Sequence, residues 1–264
     1  MKLLCQQPTA IDPEDPIGKG LVNLMHRNYD LVRRSDTEPQ CKFLERGITK
    51  QEQFAYPAVR LLNDAEHIRA LQGAESKGFD GVIICCCLDP GLAAAKTMLN
   101  IPVVGAGEST MHFAAMMGLK FANITSDVRY IGYLTDQIQR YGMATHAIER
   151  NPVRAITLSE AELWDCLTDV GPLIKDFSTI AKGCIEDGAE VLIAGCGIMS
   201  AMMTLGGLTE IDGVPIMDVD LISIKVAEML VDLNRAKIPF ISRKNMYSLV
   251  PSKELESLAD TFQR

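Results

Sequence analysis

The sequence predicts an α/β protein made of two pseudo-symmetric lobes, each a parallel sheet flanked by helices, with the active site between them. Two observations carry this expectation. Short apolar runs alternate with longer amphipathic ones along the chain, the grammar of βαβ units. One piece of that alternation also repeats: GFDGVIICC begins at Gly78 and GAEVLIAGC begins at Gly188. In both, an acidic residue stands two places after the glycine (Asp80, Glu190), and Val82-Ile83-Ile84 answers Leu192-Ile193-Ala194. Cys86 and Cys196 then occupy equivalent places at the ends of equivalent strands. Ile101-Pro102-Val103 and Val214-Pro215-Ile216 supply a second echo after each.

Taken in order, Lys2 to Cys5 reads as the first strand, followed by a turn through Pro8, Pro13 and Pro16. Leu21, Leu24, Met25 and Leu31 give one apolar face to a helix from about Ile17 to Val32. Cys41 to Leu44 is the second strand, and helical spacing of Ala58, Leu61, Leu62, Ala65, Ile68 and Leu71 marks a helix over Tyr56 to Lys77. The continuous apolar run Gly81 to Cys86 suits a buried parallel strand. Asp89-Pro90 reads as an N-cap with proline at the first helical position, opening a helix to about Leu99. Further strands fall at Ile101 to Gly105, Phe121 to Thr125, Val153 to Leu158, Val191 to Cys196 and Pro215 to Val219. Helices fill 127–142, 172–187, 198–206 and 221–235. The expected division is a first lobe of residues 1–107 plus 221–264 and a second of 108–220.

Composition narrows the function. The chain has 264 residues with 47% hydrophobic and 23% charged, ordinary for a globular protein. Its 26 Lys+Arg against 34 Asp+Glu leave a net charge of −8, so nucleic acid and anionic membrane surfaces are poor partners. Residues 191–209 carry no charge, but four glycines and a preceding strand pattern argue against a membrane span. Lys2 precedes only Leu3, Leu4 and Cys5 before Gln6 and Gln7, which is no signal-peptide pattern. A cytoplasmic location is therefore expected, with all 8 cysteines reduced. No C-x-x-C pair occurs and the histidines are scattered, so no metal site is expected. Gly105-Ala106-Gly107 lacks the third glycine of a dinucleotide loop, and Glu108 would repel a pyrophosphate.

The chemistry follows from the matched thiols. In open parallel sheets, ligands gather beyond the carboxyl ends of the strands, where Cys86 and Cys196 both fall. Backbone N–H groups and a helix start there should lower a thiol pKa. Two sulfurs flanking one cleft suit inversion at a carbon α to a carbonyl: one thiolate takes a proton from one face and the opposite thiol delivers one to the other. The N–H groups of Cys87 and Gly197 are the natural donors to the enolate-like oxygen. The competing reading is that strand cysteines merely pack as small hydrophobes.

The runs CxxDPGLxAA at Cys86 to Ala95, IPVVGxxExxMH at Ile101 to His112, DGAEVLIAGCGxM at Asp187 to Met199 and VPIMD at Val214 to Asp218 closely resemble the aspartate/glutamate/hydantoin racemase superfamily, nearest its hydantoin racemase branch. SRKNMY at Ser242 to Tyr247 is similar to a basic-then-aromatic segment in that family. The resemblance implies a cofactor-independent racemase or epimerase with Cys86 and Cys196 as the proton-transfer pair, acting on a hydantoin-like ureide or amino-acid derivative. It also points to Thr125 and Ser126 as substrate-binding hydroxyls, although an N-cap before Asp127 is an equal reading. The family's Asn-Pro-Asn-Thr motif is replaced by Gln6-Gln7-Pro8-Thr9, which makes Gln6 the candidate amide on the pocket floor. Homo-oligomers are common in such families, though no surface of this sequence predicts one. Alternatives open at this point are a cis–trans isomerase or decarboxylase of the same superfamily using one reactive cysteine, a two-lobed small-molecule binding protein, and a thiol redox protein.

Overall fold

The computed structural model describes residues 1–251 and 253–255; the rest of the stretch assigned above to the first lobe lies outside the described residues. Two separate sheets form. The first has the order β2-β1-β3-β4, with β1 Lys2–Gln6, β2 Glu38–Lys42, β3 Gly81–Ile84 and β4 Val103–Gly105, all parallel. The second has the order β6-β5-β7-β9-β8, with β5 Phe121–Thr125, β6 Val153–Ala155, β7 Val191–Ala194, β8 Glu210–Ile211 and β9 Val214–Asp218. Ignoring β8, the two orders are the same, so the repeat seen in sequence is a repeat of sheets. The turn glycines that start it both adopt left-handed backbone, Gly78 at φ 78° and Gly188 at φ 96°, a region that glycine enters without a Cβ penalty.

β8 is the exception to the expected parallel sheets. It pairs antiparallel with β9 through Asp212-Gly213, both at positive φ, the chemistry of a two-residue hairpin turn. Helices cover both sheets: α1 Pro16–Tyr29, α2 Pro57–Leu71, α3 Leu92–Met98, α4 Ala106–Met117, α5 Ile131–Arg140, α6 Glu160–Asp165, α7 Gly171–Glu186, α8 Gly197–Leu205 and α9 Val219–Arg235. α9 returns from β9 to pack on β3, β4 and α4, while α1 packs on α8 and α9. The largest core runs from one sheet to the other, joining Leu3, Tyr29 and Ile83 to Ile124, Phe177 and Leu192. None of these helices is long and apolar enough to cross a membrane.

Two expectations change. Several strands end earlier than their apolar runs: β3 stops at Ile84 and β7 at Ala194, so Cys85, Cys86 and Cys196 lie on the connections just beyond. Asp89 does not cap the helix that follows it. Its backbone sits at φ 48°, and its carboxylate instead accepts from the N–H groups of Gly107 (2.9 Å) and Glu108 (2.7 Å), capping α4 from across the chain. The helix after it therefore starts only at Leu92, behind the left-handed Gly91. His112 lies exposed on α4 with Nδ1 against the Glu108 carbonyl.

Phe177 is fully buried at the middle of the shared core. Truncating it to alanine is expected to cost about 3–5 kcal/mol in urea unfolding. Leu61, which is 72% exposed, should change stability by no more than about 0.5 kcal/mol on the same substitution.

Candidate active site

The C-terminal ends of β1, β3, β5 and β7 converge on one cavity. Its lining includes Gln7 after β1, Cys85, Cys86 and Cys87 after β3, Thr125 and Ser126 at the end of β5, and Gly195, Cys196 and Gly197 after β7. Six of the seven residues singled out from sequence thus share a single space: Cys86, Cys196, Cys87, Gly197, Thr125 and Ser126.

Gln6 does not join them. Alternation along β1 places it on the face of Leu4, which packs with Leu71, Val82 and Ile84 away from the second sheet. Its amide Nε2 donates to the carbonyls of Gln7 (3.1 Å) and Lys42 (3.2 Å). Gln7, next in the chain, turns to the face of Leu3 and Cys5, and its buried Nε2 has no hydrogen-bond partner among the described residues. The strand pairing shows why it belongs in the cavity. Leu3 pairs with Gly81 and Phe121 with Val191, so Gln7, four residues after Leu3, corresponds to Thr125, four residues after Phe121. The repeat of sheets thus extends back to β1, which answers β5.

The question of Thr125 and Ser126 also resolves locally. Asp127 is the residue whose side chain accepts from the Arg129 N–H (2.8 Å) and caps the following turn. The two hydroxyl residues have no capping role to fill and stand on the cavity wall.

Beyond the strand ends, the walls are apolar and aromatic: Leu21 and Met25 from α1, Phe43, Phe54, Tyr130 and Trp164. A segment reaching across from the first lobe closes one side, and sequence periodicity gave no sign of it. Gln51 and Phe54 stand on a single 3₁₀ turn, Gln51–Ala55, held by residues of the second half of the chain. The Glu160 carboxylate accepts from the N–H groups of Gln51 (2.8 Å) and Glu52 (3.0 Å), and the Tyr130 hydroxyl donates to the Gln51 carbonyl. The space left is ≈ 70 Å³, room for about five waters at ~10–15 Å³ each. Among the described residues, no Asp, Glu, Lys, Arg or His side chain lines it. Among the described residues, no three His, Cys, Asp or Glu side chains are arranged to hold a metal ion.

The two thiols are held differently. Cys196 is the N-cap residue of α8, its carbonyl accepting from the Ser200 N–H at 2.8 Å. Cys86 precedes no helix directly; it opens a turn closed by the Asp89 N–H on its carbonyl at 2.9 Å. The expected lowering of both thiol pKa values is overturned. Burial pushes Cys86 up to about 12, with the Asp89 and Cys196 charges adding to the rise and the Leu88 N–H and Arg60 opposing it. Burial also raises Cys196, against the Met199 and Ile198 N–H groups and the Ser126 hydroxyl, all of which favour the thiolate. The donors expected at a helix start are present, but loss of water outweighs them. Both residues rest as neutral thiols near pH 7, and charge on Cys196 raises the cost of ionising Cys86.

Residues 37–225 match the family described as Asp/Glu/Hydantoin racemase. The hydantoin racemase of Rhizobium meliloti is 31% identical over 178 residues, 67% of this chain and 69% of that protein. The hydantoin racemase of Pseudomonas sp. (strain NS671) is 29% identical over 198 residues, 75% of each. The solved allantoin racemase from Klebsiella pneumoniae shares the fold with a TM-score of 0.78 at 20% identity, over 95% of this chain and 94% of that one. The chain belongs to the Asp/Glu/hydantoin racemase family and is an isomerase of the racemase class.

Because the thiolate fraction below a raised pKa grows about tenfold per pH unit, site-resolved iodoacetamide labelling of Cys86 is expected to climb steadily from pH 7 to pH 10. A plateau by pH 8 would contradict the burial-dominated thiol.

Proposed function

We propose that this member of the Asp/Glu/hydantoin racemase family inverts the ring carbon of a neutral, hydantoin-like cyclic ureide by two-thiol proton transfer. The observation that carries the reading is one cavity lined by Cys86 and Cys196, from equivalent ends of two equivalent sheets, and by no charged side chain among the described residues. A free amino acid would bring an ammonium and a carboxylate into that space with no partner for either, at a cost of several kcal/mol per ion. A cyclic ureide brings only N–H and C=O groups. The hydroxyls of Thr125 and Ser126 and the unpartnered amide of Gln7 suit those groups, and the apolar walls suit a ring substituent.

In the proposed step one sulfur, as thiolate, removes the proton from the carbon α to the carbonyl. The electron pair moves onto the carbonyl oxygen, and the opposite thiol returns a proton to the other face, which leaves the second sulfur as thiolate. The N–H groups of Cys87 and Gly197 are the assigned donors to the oxyanion, which gains most from hydrogen bonds fixed in advance in a site with little water. Raised thiol pKa values fit this division of labour, because a thiolate stripped of water is a stronger base toward a weakly acidic C–H.

Cys86→Ser and Cys196→Ser should each lower racemisation of enantiopure 5-alkyl hydantoins by a factor of about 10² or more, followed by polarimetry. In D₂O each variant should retain α-deuterium exchange for one enantiomer only, opposite in the two variants. Unchanged racemisation in both would refute the pair, and turnover of glutamate in place of hydantoins would refute the neutral substrate.

A further inference from the structure

The two thiols sit on unlike supports, and each support is anchored by one buried carboxylate. On the first side, Asp89 closes the Cys86 turn through its own N–H, and the residue is 7% exposed. Its Oδ1 accepts from the Gly107 N–H (2.9 Å); its Oδ2 accepts from the Glu108 N–H (2.7 Å), Gln137 Nε2 (2.9 Å) and the Tyr141 hydroxyl (2.6 Å). One carboxylate therefore ties the Cys86 turn both to the N-terminus of α4 and to α5 of the second half. The glycines around it are required: a Cβ at Gly105 would stand 2.6 Å from Asp89 Oδ1, and one at Gly107 would stand 2.8 Å from Oδ2.

On the second side the connection is reversed. Asp218 lies at the end of β9 and caps α9, accepting from the N–H groups of Asp220 (3.0 Å) and Leu221 (3.1 Å). The same carboxylate reaches α8, the helix that begins after Cys196, through the hydroxyls of Thr204 (2.7 Å) and Ser200 (3.4 Å). Ser200 in turn donates its N–H to the Cys196 carbonyl at 2.8 Å. In each half, then, one buried aspartate joins the thiol-bearing segment to the N-terminus of the helix that follows the neighbouring strand of the sheet, β4 in the first and β9 in the second. The aspartate sits on the thiol segment in the first half and on the strand end in the second.

We propose that Asp89 and Asp218 are paired positioning residues, Asp89 setting the placement of Cys86 and Asp218 that of Cys196, so that loss of either impairs proton transfer at one face only. This rests on the two-thiol reading above. Positioning at one face is separable from general stability because exchange with retention uses a single sulfur. The thiolate takes the α-proton, the S–H exchanges with solvent, and a deuteron returns to the same carbon face. Racemisation needs both sulfurs and must fall equally in the two directions whichever is displaced.

The test is enantiomer-resolved α-deuterium exchange in D₂O on enantiopure 5-alkyl hydantoins, with Cys86→Ser and Cys196→Ser first identifying the enantiomer that each sulfur serves. Asp89→Asn sets an amide N–H₂ against backbone donors. It should slow Cys86-side exchange about 10- to 100-fold, the effect of a displacement near 1 Å, and leave Cys196-side exchange within about twofold. Asp218→Asn should do the reverse. Tyr141→Phe and Thr204→Val remove one side-chain donor each without touching the backbone caps. They should show the same sidedness in weaker form, which keeps the question open to measurement should an aspartate variant fail to fold. Equal slowing of both enantiomers, or no slowing, would overturn the positioning roles. Failure of the cysteine variants to separate the enantiomers would instead strike the two-thiol reading itself.

Discussion

The site depends on one constraint: the central strands of two separate parallel sheets, β3 and β7, bring their carboxyl ends to the same gap. Each strand is flanked on both sides within its sheet, β3 by β1 and β4, and β7 by β5 and β9. Neither end can shift without breaking ladders on two sides. The core continuous between the sheets holds the gap at fixed width, because close-packed side chains transmit displacement rather than absorb it. What stands just after each strand is thereby aimed at whatever occupies the space.

That placement has an electrostatic consequence. Strand ends facing a gap between lobes are poor in water, and the aromatic walls and the Gln51–Ala55 turn strip away more of it. Thiols there are reluctant to ionise, Cys86, Cys87 and Cys196 alike. The same dryness that holds the sulfurs neutral at rest also strengthens the hydrogen bonds from fixed N–H groups to a developing oxyanion. Desolvation, thiol basicity and oxyanion stabilisation are three effects of one enclosure.

Much of this was legible in the sequence. The sequence pattern marks Phe121–Thr125 to the residue, and the glycine-to-cysteine count sets Cys86 and Cys196, of eight cysteines, at matched places, which the structure puts just past the ends of β3 and β7. Gln6 lies off the cavity and Gln7 on it because a motif names residue types, whereas the face is fixed by two-residue alternation and by register with β3. Asp89-Pro90 has the local form of a helix cap. Its carboxylate went elsewhere because α4 begins at Gly105-Ala106-Gly107 with no side chain of its own to meet its first N–H groups. The Gln51–Ala55 turn is held by Glu160 and Tyr130, more than 70 residues away, and no local pattern announces a partner at that distance. Asp212-Gly213 has the local form of a hairpin turn, a signal that lies outside the βαβ pattern from which the parallel sheets are read.

The claim beneath all of this is that Cys86 and Cys196 address opposite faces of one carbon. A crystal structure with a planar, enolate-like hydantoin analogue bound tests it most directly. The account predicts both sulfurs about 3–3.5 Å from the carbon that would be inverted, one above the ring plane and one below. Both sulfurs on the same side, or the ring bound out of reach of either, would contradict it.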